Sequence, residues 1–251
     1  MLHLRPLPGS PRYNGDLAAV RESLLRDADA LAVGGVHGLM LENFGDAPFY
    51  PGRVPAAVIA HMTALAGEVR QRFPLPLGIN VLRNDGQSAL AVAQAAGAQF
   101  IRVNVLCGAR VTDQGVIQGI AHALLRQRAA LGAEAIRIFA DVDVKHSAPL
   151  APRGLAEEVE DTVQRGLADT VIVSGTATGQ AASLTQVRTA RAAAGGVPVF
   201  VGSGVTAFTI AAFRRHADGF IIGTAFKRGG VATHPVEPAR VRAVMRRLAG
   251  R

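Results

Sequence analysis

Short apolar runs alternate with longer amphipathic segments along the whole chain. Apolar runs of this kind are typical of buried strands, whereas apolar residues spaced three and four apart are typical of helices. The pattern predicts eight strands, at residues 2–4, 36–41, 77–82, 100–105, 135–144, 170–174, 197–202 and 219–223. It predicts helices near residues 16–33, 55–72, 87–97, 117–131, 154–167, 183–194, 206–215 and 238–249. Such regular alternation favours a parallel α/β sheet.

The number of strand–helix pairs indicates which parallel α/β fold is expected. Eight pairs close a (β/α)8 TIM barrel, and a length of 251 residues suits one such barrel. The sequence therefore predicts a single TIM-barrel domain over residues 1–251. An open doubly wound sheet is the alternative, but it normally carries an early G-x-G-x-x-G turn, which the first strand–helix junction lacks.

Polar residues occupy only one face of each of the first five strands and lie toward the C-terminal ends. They are His3, Arg5, Glu42, Asn80, Arg102, Asn104, Asp141, Asp143 and Lys145. Both faces of a closed parallel sheet are covered, so buried polar groups without a function would cost more than an apolar layer. The C-terminal strand ends of a barrel form its active-site mouth. We therefore expect these side chains to line that mouth.

Glycine occurs with serine or threonine directly after each of the last three strands. The residues are Ser174 and Gly175, then Gly202, Ser203 and Gly204, then Gly223 and Thr224. Glycine lets the backbone approach a ligand closely, and barrels of this type often bind phosphate after strands 7 and 8. The four glycines with Ser203 and Thr224 are therefore predicted to bind phosphate, and Ser174 to contact the substrate. Arg83, in the loop after strand 3, is a further predicted substrate contact.

The formal net charge of +8 raises the question of nucleic-acid binding. The arginines are dispersed through helical segments, and only 5% of the residues are aromatic, with no tryptophan. Base-stacking platforms are therefore scarce, and we expect an anionic small molecule rather than a nucleic acid. Lys145 and Lys227 are the only lysines among the 27 basic residues, which makes them candidates for tasks that arginine cannot perform, such as forming an imine. Lys227 is either a point charge for the same phosphate or an ordinary solvated lysine.

The cellular location is predicted from weaker signals. The sequence has one cysteine, no apolar run long enough for a membrane helix, and no secretory signal pattern in its first ten residues. A reducing compartment, the cytoplasm, is therefore expected. The protein is also expected to be a homo-oligomer.

Several long motifs resemble the BtpA/SgcQ family. They are LHLRPLPGSPRY (2–13), ENFGDAPF (42–49), GINVLRND (78–85), FIRVNV (100–105), TDQG (112–115), ADVDVKHSAPL (140–150) and VGSGVT (201–206). The resemblance implies a barrel akin to the ribulose-phosphate-binding group. It also implies three different functions: a factor for photosystem I accumulation, a member of a sugar-uptake gene cluster, and a nucleoside triphosphatase.

The first functional hypothesis is an enzyme that acts on a sugar phosphate by aldol, isomerase or epimerase chemistry. Lys145 would form an imine or stabilise charge, and Glu42 or Asp141 would be the general base. His3, Arg5, Asn80, Arg83, Arg102, Asn104 and Ser174 would contact the substrate.

Three alternatives remain open at this stage. Glu42, Asp141 and Asp143 are candidate Mg²⁺ ligands, since hard cations prefer carboxylates, although their spacing matches no metal motif. No other cofactor is predicted. A non-catalytic photosystem I biogenesis factor is the second functional hypothesis. A nucleoside triphosphatase is the third, and the sequence contains no G-x-x-x-x-G-K-[ST] loop to support it.

Overall fold

A computed structural model of the protein describes residues 1–175 and 182–250. Its strands, in chain order, are β1 (Leu2–His3), β2 (Leu39–Glu42), β3 (Leu77–Asn80), β4 (Phe100–Val103), β5 (Ala109–Thr112), β6 (Gly115–Gln118), β7 (Arg137–Val142), β8 (Ser147–Pro149), β9 (Thr170–Ser174), β10 (Val199–Gly202) and β11 (Gly219–Ile221). Its helices are α1 (Leu17–Gly34), α2 (Ala56–Arg72), α3 (Gly86–Ala96), α4 (Ala121–Ala130), α5 (Leu155–Gln164), α6 (Leu184–Ala193), α7 (Ile210–Phe213) and α8 (Pro238–Leu248).

Eight of these strands form one curled parallel sheet in the order β1-β2-β3-β4-β7-β9-β10-β11. They correspond to the eight predicted strands, and most are shorter than predicted. The remaining strands, β6-β5-β8, form a small antiparallel sheet that the sequence pattern did not predict. The chain therefore has the α/β architecture expected of a strand–helix repeat, with a small sheet added between β4 and α5.

The main sheet carries apolar residues on both of its faces. On the outer face, Leu41, Ile79, Ile101 and Val173 belong to a large core shared with the helices. On the inner face, Met40, Ile172 and Ile221 pack with the partly buried side chains of Phe100, Phe139 and Phe200. Polar residues are therefore confined to the C-terminal end of the inner face.

Two glycines make room for rings in that inner layer. A Cβ added at Gly78 would lie 2.1 Å from the ring of Phe100, and one at Gly219 would lie 2.3 Å from the ring of Phe200. Because real Cβ atoms do not come so close to another atom, a larger residue on either strand would displace the neighbouring ring. The aromatic layer closes the sheet interior below the polar residues and keeps the site at one end of the strands.

Candidate active site at the C-terminal strand ends

Strand register places four of the predicted site residues side by side. His3 of β1 pairs with Glu42 of β2, Glu42 pairs with Asn80 of β3, and Asn80 pairs with Arg102 of β4. Neighbouring residues in a parallel register point to the same face, so the four side chains form a continuous polar layer across the sheet. The alternation of apolar and polar positions along each strand produces this layer directly.

Glu42 has one engaged and one open carboxylate oxygen. Asn80 donates a hydrogen bond of 2.6 Å to its Oε2, while its Oε1 lies 3.8 Å from Nε2 of His3, too far for a hydrogen bond. Burial raises the pKa of Glu42, but His3, Arg102, Lys145 and the bond from Asn80 outweigh burial and hold the pKa below its usual value. Glu42 is therefore a carboxylate at neutral pH, with an oxygen available to accept a proton.

His3 is held in one position by two neighbours. Its Nδ1 lies 3.3 Å from the carbonyl oxygen of Ala232, and its ring stacks on Phe44 with a centroid separation of 4.5 Å. Burial lowers the pKa of His3 to about 4, so the imidazole is neutral at physiological pH. A neutral ring that donates from Nδ1 presents the unprotonated Nε2 toward Glu42.

Asp141 is fully engaged in a buried network. Arg102 donates to both of its oxygens, at 2.9 and 2.8 Å, and Asn104 donates to Oδ2 at 2.7 Å. Ser174 adds a longer contact of 3.5 Å to Oδ1. A bidentate arginine–carboxylate pair fixes both partners. The geometry therefore favours a role for Asp141 in orienting Arg102 rather than a role as a general base.

Lys145 lies beyond the end of β7 and reaches across the strand ends. Its Nζ is 3.3 Å from Oγ of Ser203, and Arg83 donates a 2.6 Å hydrogen bond to its carbonyl oxygen. Burial, followed by the positive charge of Arg102, lowers the pKa of Lys145 below its usual value. No carboxylate of the described residues lies within ion-pair distance of the amine, which therefore remains available for chemistry.

The two glycine-containing turns are close to this lysine and to His3. Ser203 and Gly204, directly after β10, have positive φ angles of 73° and 64°. A Cβ at Gly202 would lie 3.0 Å from Oγ of Ser174, and a Cβ at Gly223 would lie 3.0 Å from the imidazole of His3. Gly175 is buried directly after β9. The spaces that Cβ atoms would take at Gly202 and Gly223 are therefore occupied by Ser174 and His3, so these glycines let the strand ends pack closely.

A cavity of about 680 Å³ occupies this end of the sheet. Eight of the predicted site residues line it: His3, Glu42, Arg102, Lys145, Ser203, Gly204, Gly223 and Thr224. Asp141 and Asn104 line a second cavity of about 220 Å³, where Oδ1 of Asn104 has no hydrogen-bond partner among the described residues. Asn80, Arg83, Ser174, Gly175 and Gly202 line neither cavity and lie behind the lining residues.

Two residues lie elsewhere than the sequence pattern suggests. Arg5 follows the end of β1, and its exposed side chain lines neither cavity. Asp143 is not on the inward face, because β7 ends at Val142 and Asp143 has a positive φ of 48°. Its carboxylate accepts a 2.5 Å hydrogen bond from Arg110. Both expectations extended strand alternation past the real end of the strand.

The interpretations of Lys227 as a phosphate ligand or a solvated lysine are both wrong. Lys227 is only 1% exposed, and its Nζ is 2.5 Å from Oδ2 of Asp27 on α1. The other oxygen of Asp27 accepts a hydrogen bond from the backbone nitrogen of Val236 at 2.9 Å. Lys227 therefore ties the segment after β11 to the first helix.

The residues proposed as Mg²⁺ ligands are not assembled. Asp143 is paired with Arg110, Asp141 with Arg102, and Glu42 with Asn80. Within residues 1–175 and 182–250, no group of three or more His, Cys, Asp and Glu side chains is placed to hold a metal ion. None of the helices in that same part of the chain is long and apolar enough to cross a membrane.

Arg240 and Phe208 are among the residues of the large cavity that the sequence pattern did not predict. Arg240, on α8, was one of many dispersed helical arginines, and no local pattern distinguishes it. Phe208, after β10, is 94% exposed at the rim of the cavity. An apolar side chain with this exposure is a departure from the pattern that a sequence search could have flagged.

Comparison with known proteins identifies the family. The BtpA family matches residues 1–250. The chain belongs to the BtpA family. It is 47% identical over 249 residues to the photosystem I biogenesis protein BtpA of Synechocystis, covering 99% of this chain and 86% of that one. It is also 46% identical to an uncharacterized protein of Thermococcus kodakarensis, covering 96% of this chain and 91% of the relative.

Solved structures share the fold of this BtpA family member at low sequence identity. N-(5'-phosphoribosyl)anthranilate isomerase from Pyrococcus furiosus superposes with a TM-score of 0.57 at 13% identity, over 90% of this chain and 96% of the isomerase. KGPDC from Streptococcus mutans gives 0.54 at 14% identity, over 89% and 91%. At these identities the likeness shows the fold alone: this chain shares the α/β architecture of these enzymes.

Proposed function

We propose that this protein is an enzyme that acts on a small phosphorylated compound, a sugar phosphate, by aldol, isomerase or epimerase chemistry. The observation that carries the proposal is the shared cavity: Glu42 and Lys145 line the same space as the turns at Ser203–Gly204 and Gly223–Thr224. A volume of about 680 Å³ suits a phosphorylated metabolite. The structural neighbours, which include a phosphoribosyl anthranilate isomerase, support this substrate class.

We also infer that the curled sheet closes into a single barrel. The backbone nitrogen of Met1 donates a 2.9 Å hydrogen bond to the carbonyl of Ile222, which follows β11. The imidazole of His3 on β1 lies against Gly223. The two edges of the sheet therefore meet at the candidate site, and a closed barrel would surround the cavity.

In the proposed reaction Lys145 is the nucleophile. Its unprotonated amine attacks the substrate carbonyl carbon and the N–C bond forms. The carbonyl oxygen leaves as water with the two amine protons, and the imine nitrogen takes up a proton from solvent to give a protonated imine. The lowered pKa of Lys145, caused by burial and by Arg102, increases the fraction of unprotonated amine at neutral pH. If no imine forms, the same ammonium stabilises the charge of an enediolate.

Glu42 is the proposed general base. Its Oε1 has no hydrogen bond within the described part of the chain, whereas both oxygens of Asp141 are bound by Arg102. Glu42 removes a proton from the carbon next to the imine, and the imine nitrogen takes up the electron pair. In this scheme Asp141 orients Arg102, which faces the cavity beside Lys145.

The phosphate is assigned to the turns after β10 and β11. The backbone at Ser203, Gly204, Gly223 and Thr224 lines the cavity without bulky side chains, and short Gly-rich turns of this kind suit phosphate. Gly175 and Gly202 would allow the close approach of neighbouring backbone. We further expect the enzyme to act in the cytoplasm as a homo-oligomer.

Borohydride trapping tests the chemistry. The protein is incubated with a panel of ketose and aldose phosphates, reduced, digested and examined by mass spectrometry. We expect an adduct on Lys145 that the Lys145→Arg variant lacks, since arginine keeps the charge but forms no imine. Exchange of substrate protons for deuterium in D2O tests proton abstraction without an imine. The Glu42→Gln variant, which lacks the proposed base, is its control and should show no exchange. The absence of both an adduct and Glu42-dependent exchange across the panel would overturn the enzyme proposal.

One observation favours a second candidate, a photosystem I biogenesis factor: the relative that is 47% identical carries that name. A relative of almost the same identity, from Thermococcus kodakarensis, is an uncharacterized protein and gives this candidate no support. The two candidates separate in a cyanobacterium that lacks its own BtpA. If this chain and its Glu42→Gln, Lys145→Arg variant both restore photosystem I, the non-catalytic role is supported.

A further inference from the structure

We propose that Arg240 of α8 completes the phosphate site and selects substrates that end in a phosphate monoester. The inference rests on the proposed function and extends it, because it names the side chain that would neutralise the phosphate. The turns after β10 and β11 offer backbone groups and a hydroxyl, but a doubly charged phosphate in a partly closed cavity also needs a cation.

Arg240 is anchored beside the turn that follows β11. It lies in the first turn of α8, lines the large cavity, and donates from Nε to the carbonyl oxygen of Ala225 at 2.9 Å. Ala225 directly follows the predicted phosphate residues Gly223 and Thr224. The hydrogen bond fixes the guanidinium next to these residues without using the two terminal nitrogens.

Those terminal nitrogens remain available to a ligand. Within residues 1–175 and 182–250, neither Nη1 nor Nη2 of Arg240 has a hydrogen-bond partner. Gly230, which also lines the cavity, lies beside this fork, since a Cβ built there would be in van der Waals contact with Nη2 at 3.9 Å. The planar fork of an arginine matches two phosphate oxygens at once, which a lysine amine does not.

The other cations near the cavity have different partners. The arginines and lysines that line it are Arg102, Lys145 and Arg240. Arg102 is held by both oxygens of Asp141, and the amine of Lys145 donates to Oγ of Ser203 at 3.3 Å, on the turn after β10. Lys227, close in sequence to the turn, is held by Asp27. Arg240 is therefore the basic side chain of this cavity that remains available to bind an anion beside Thr224.

One carboxylate opposes this role. Glu237, which precedes α8, lies 3.9 Å from Nε of Arg240. This distance allows electrostatic attraction but no hydrogen bond, so Glu237 reduces the positive potential without occupying the fork. Its removal is expected to strengthen anion binding, which provides a variant with an effect of the opposite sign.

Inorganic phosphate is the probe for the test, and its binding is measured by isothermal titration calorimetry at fixed ionic strength. We expect Arg240→Ala to weaken phosphate binding about tenfold or more, and Arg240→Lys to weaken it roughly threefold. Glu237→Gln should strengthen binding by about twofold. Arg242→Ala is the matched control, because Arg242 is exposed on the same helix and does not line the cavity; its affinity should match the wild type.

The outcomes separate this inference from the proposed function. Equal phosphate affinity in the wild type and the Arg240 variants would overturn the role of Arg240 and leave the proposed function standing. If the wild type does not bind phosphate, both the phosphate assignment and this inference are wrong. Equal losses in Arg240→Ala and Arg242→Ala would show a general effect of net charge and would also overturn the inference. Melting temperatures confirm that each variant is folded.

Discussion

The two lysines of this chain occupy opposite kinds of environment. Lys145 lines the large cavity, and its amine contacts the hydroxyl of Ser203 at 3.3 Å. Lys227 is almost fully buried and forms an ion pair of 2.5 Å with Asp27. Arginine otherwise supplies the basic residues. In this chain the rarity of lysine pointed to two special positions. Only the packing around each lysine shows that Lys145 is placed for chemistry and that Lys227 has a structural role.

The difference between the two lysines is tested by measuring the free energy of unfolding, on which replacement of Lys227 should have the largest effect. Lys227→Ala leaves Asp27 as a buried charge without its partner, so we expect a loss of about 3–5 kcal/mol in the free energy of unfolding. Urea denaturation followed by circular dichroism measures it. Lys145→Met removes a partly desolvated cation that has no ion pair and should change stability by less than about 1 kcal/mol. Similar losses in both variants would remove the distinction.

Asp141 and Glu42 allow the same comparison between a structural and a chemical role, with a smaller expected difference in stability. Asp141→Asn leaves the buried Arg102 without a counter-charge, and we expect it to cost about 3 kcal/mol of stability. Glu42→Gln should cost about 1 kcal/mol or less, because only one of its oxygens accepts a hydrogen bond. Thermal and urea unfolding of both variants measure the difference. A larger loss for Glu42→Gln would assign the structural role to Glu42 instead.

The smallest effect concerns acid stability. His3 has a folded-state pKa of about 4, below its ordinary value of 6.5, so the unfolded chain binds the proton more readily. Stability attributable to this group is therefore complete above pH 6.5 and is lost progressively as the pH falls toward 4. His3→Asn keeps a donor for Ala232 and should flatten the dependence over this range.

Unfolding free energies measured between pH 7 and 4 give the slope directly. His61→Asn, on α2 and outside the cavity, is the control and should retain the slope of the wild type. An unchanged slope in His3→Asn would show that His3 is not the group responsible.

The sequence predicted the main sheet well because its signal is local. The strand over residues 170–174 was predicted at its observed bounds, and α2 and α8 differ from their predicted ranges by a single residue at the ends. The small antiparallel sheet was missed, and a helix was predicted from residue 117 where β6 continues to Gln118. The alternation in ARVTDQGVIQ, with Asp113 and Gln114 at the turn, is a hairpin signal that the helical pattern of α4 obscured.

The site residues that lie within strands could be predicted from the alternation of apolar and polar positions. Alternation correctly grouped His3, Glu42, Asn80 and Arg102, which share one register. It failed for Asp143, where a left-handed backbone ends the alternation. It carried no information about Arg240, since a helix that follows the last strand of the sheet reaches the cavity only through the three-dimensional fold. Hydrogen-bond partners, such as those that engage Asp141, were likewise beyond the pattern.

The ion pair between Lys227 and Asp27 has a consequence for how the chain folds. Its partners are 200 residues apart in the sequence, among the most distant contacts in the molecule. Closing a loop of that length carries an entropic cost that nearby contacts do not. During synthesis, α1 therefore leaves the ribosome long before its buried carboxylate has a counter-ion. Asp27 and Lys227 pair only when the last strand and the segment after it are docked against α1, so this ion pair joins the two ends of the chain.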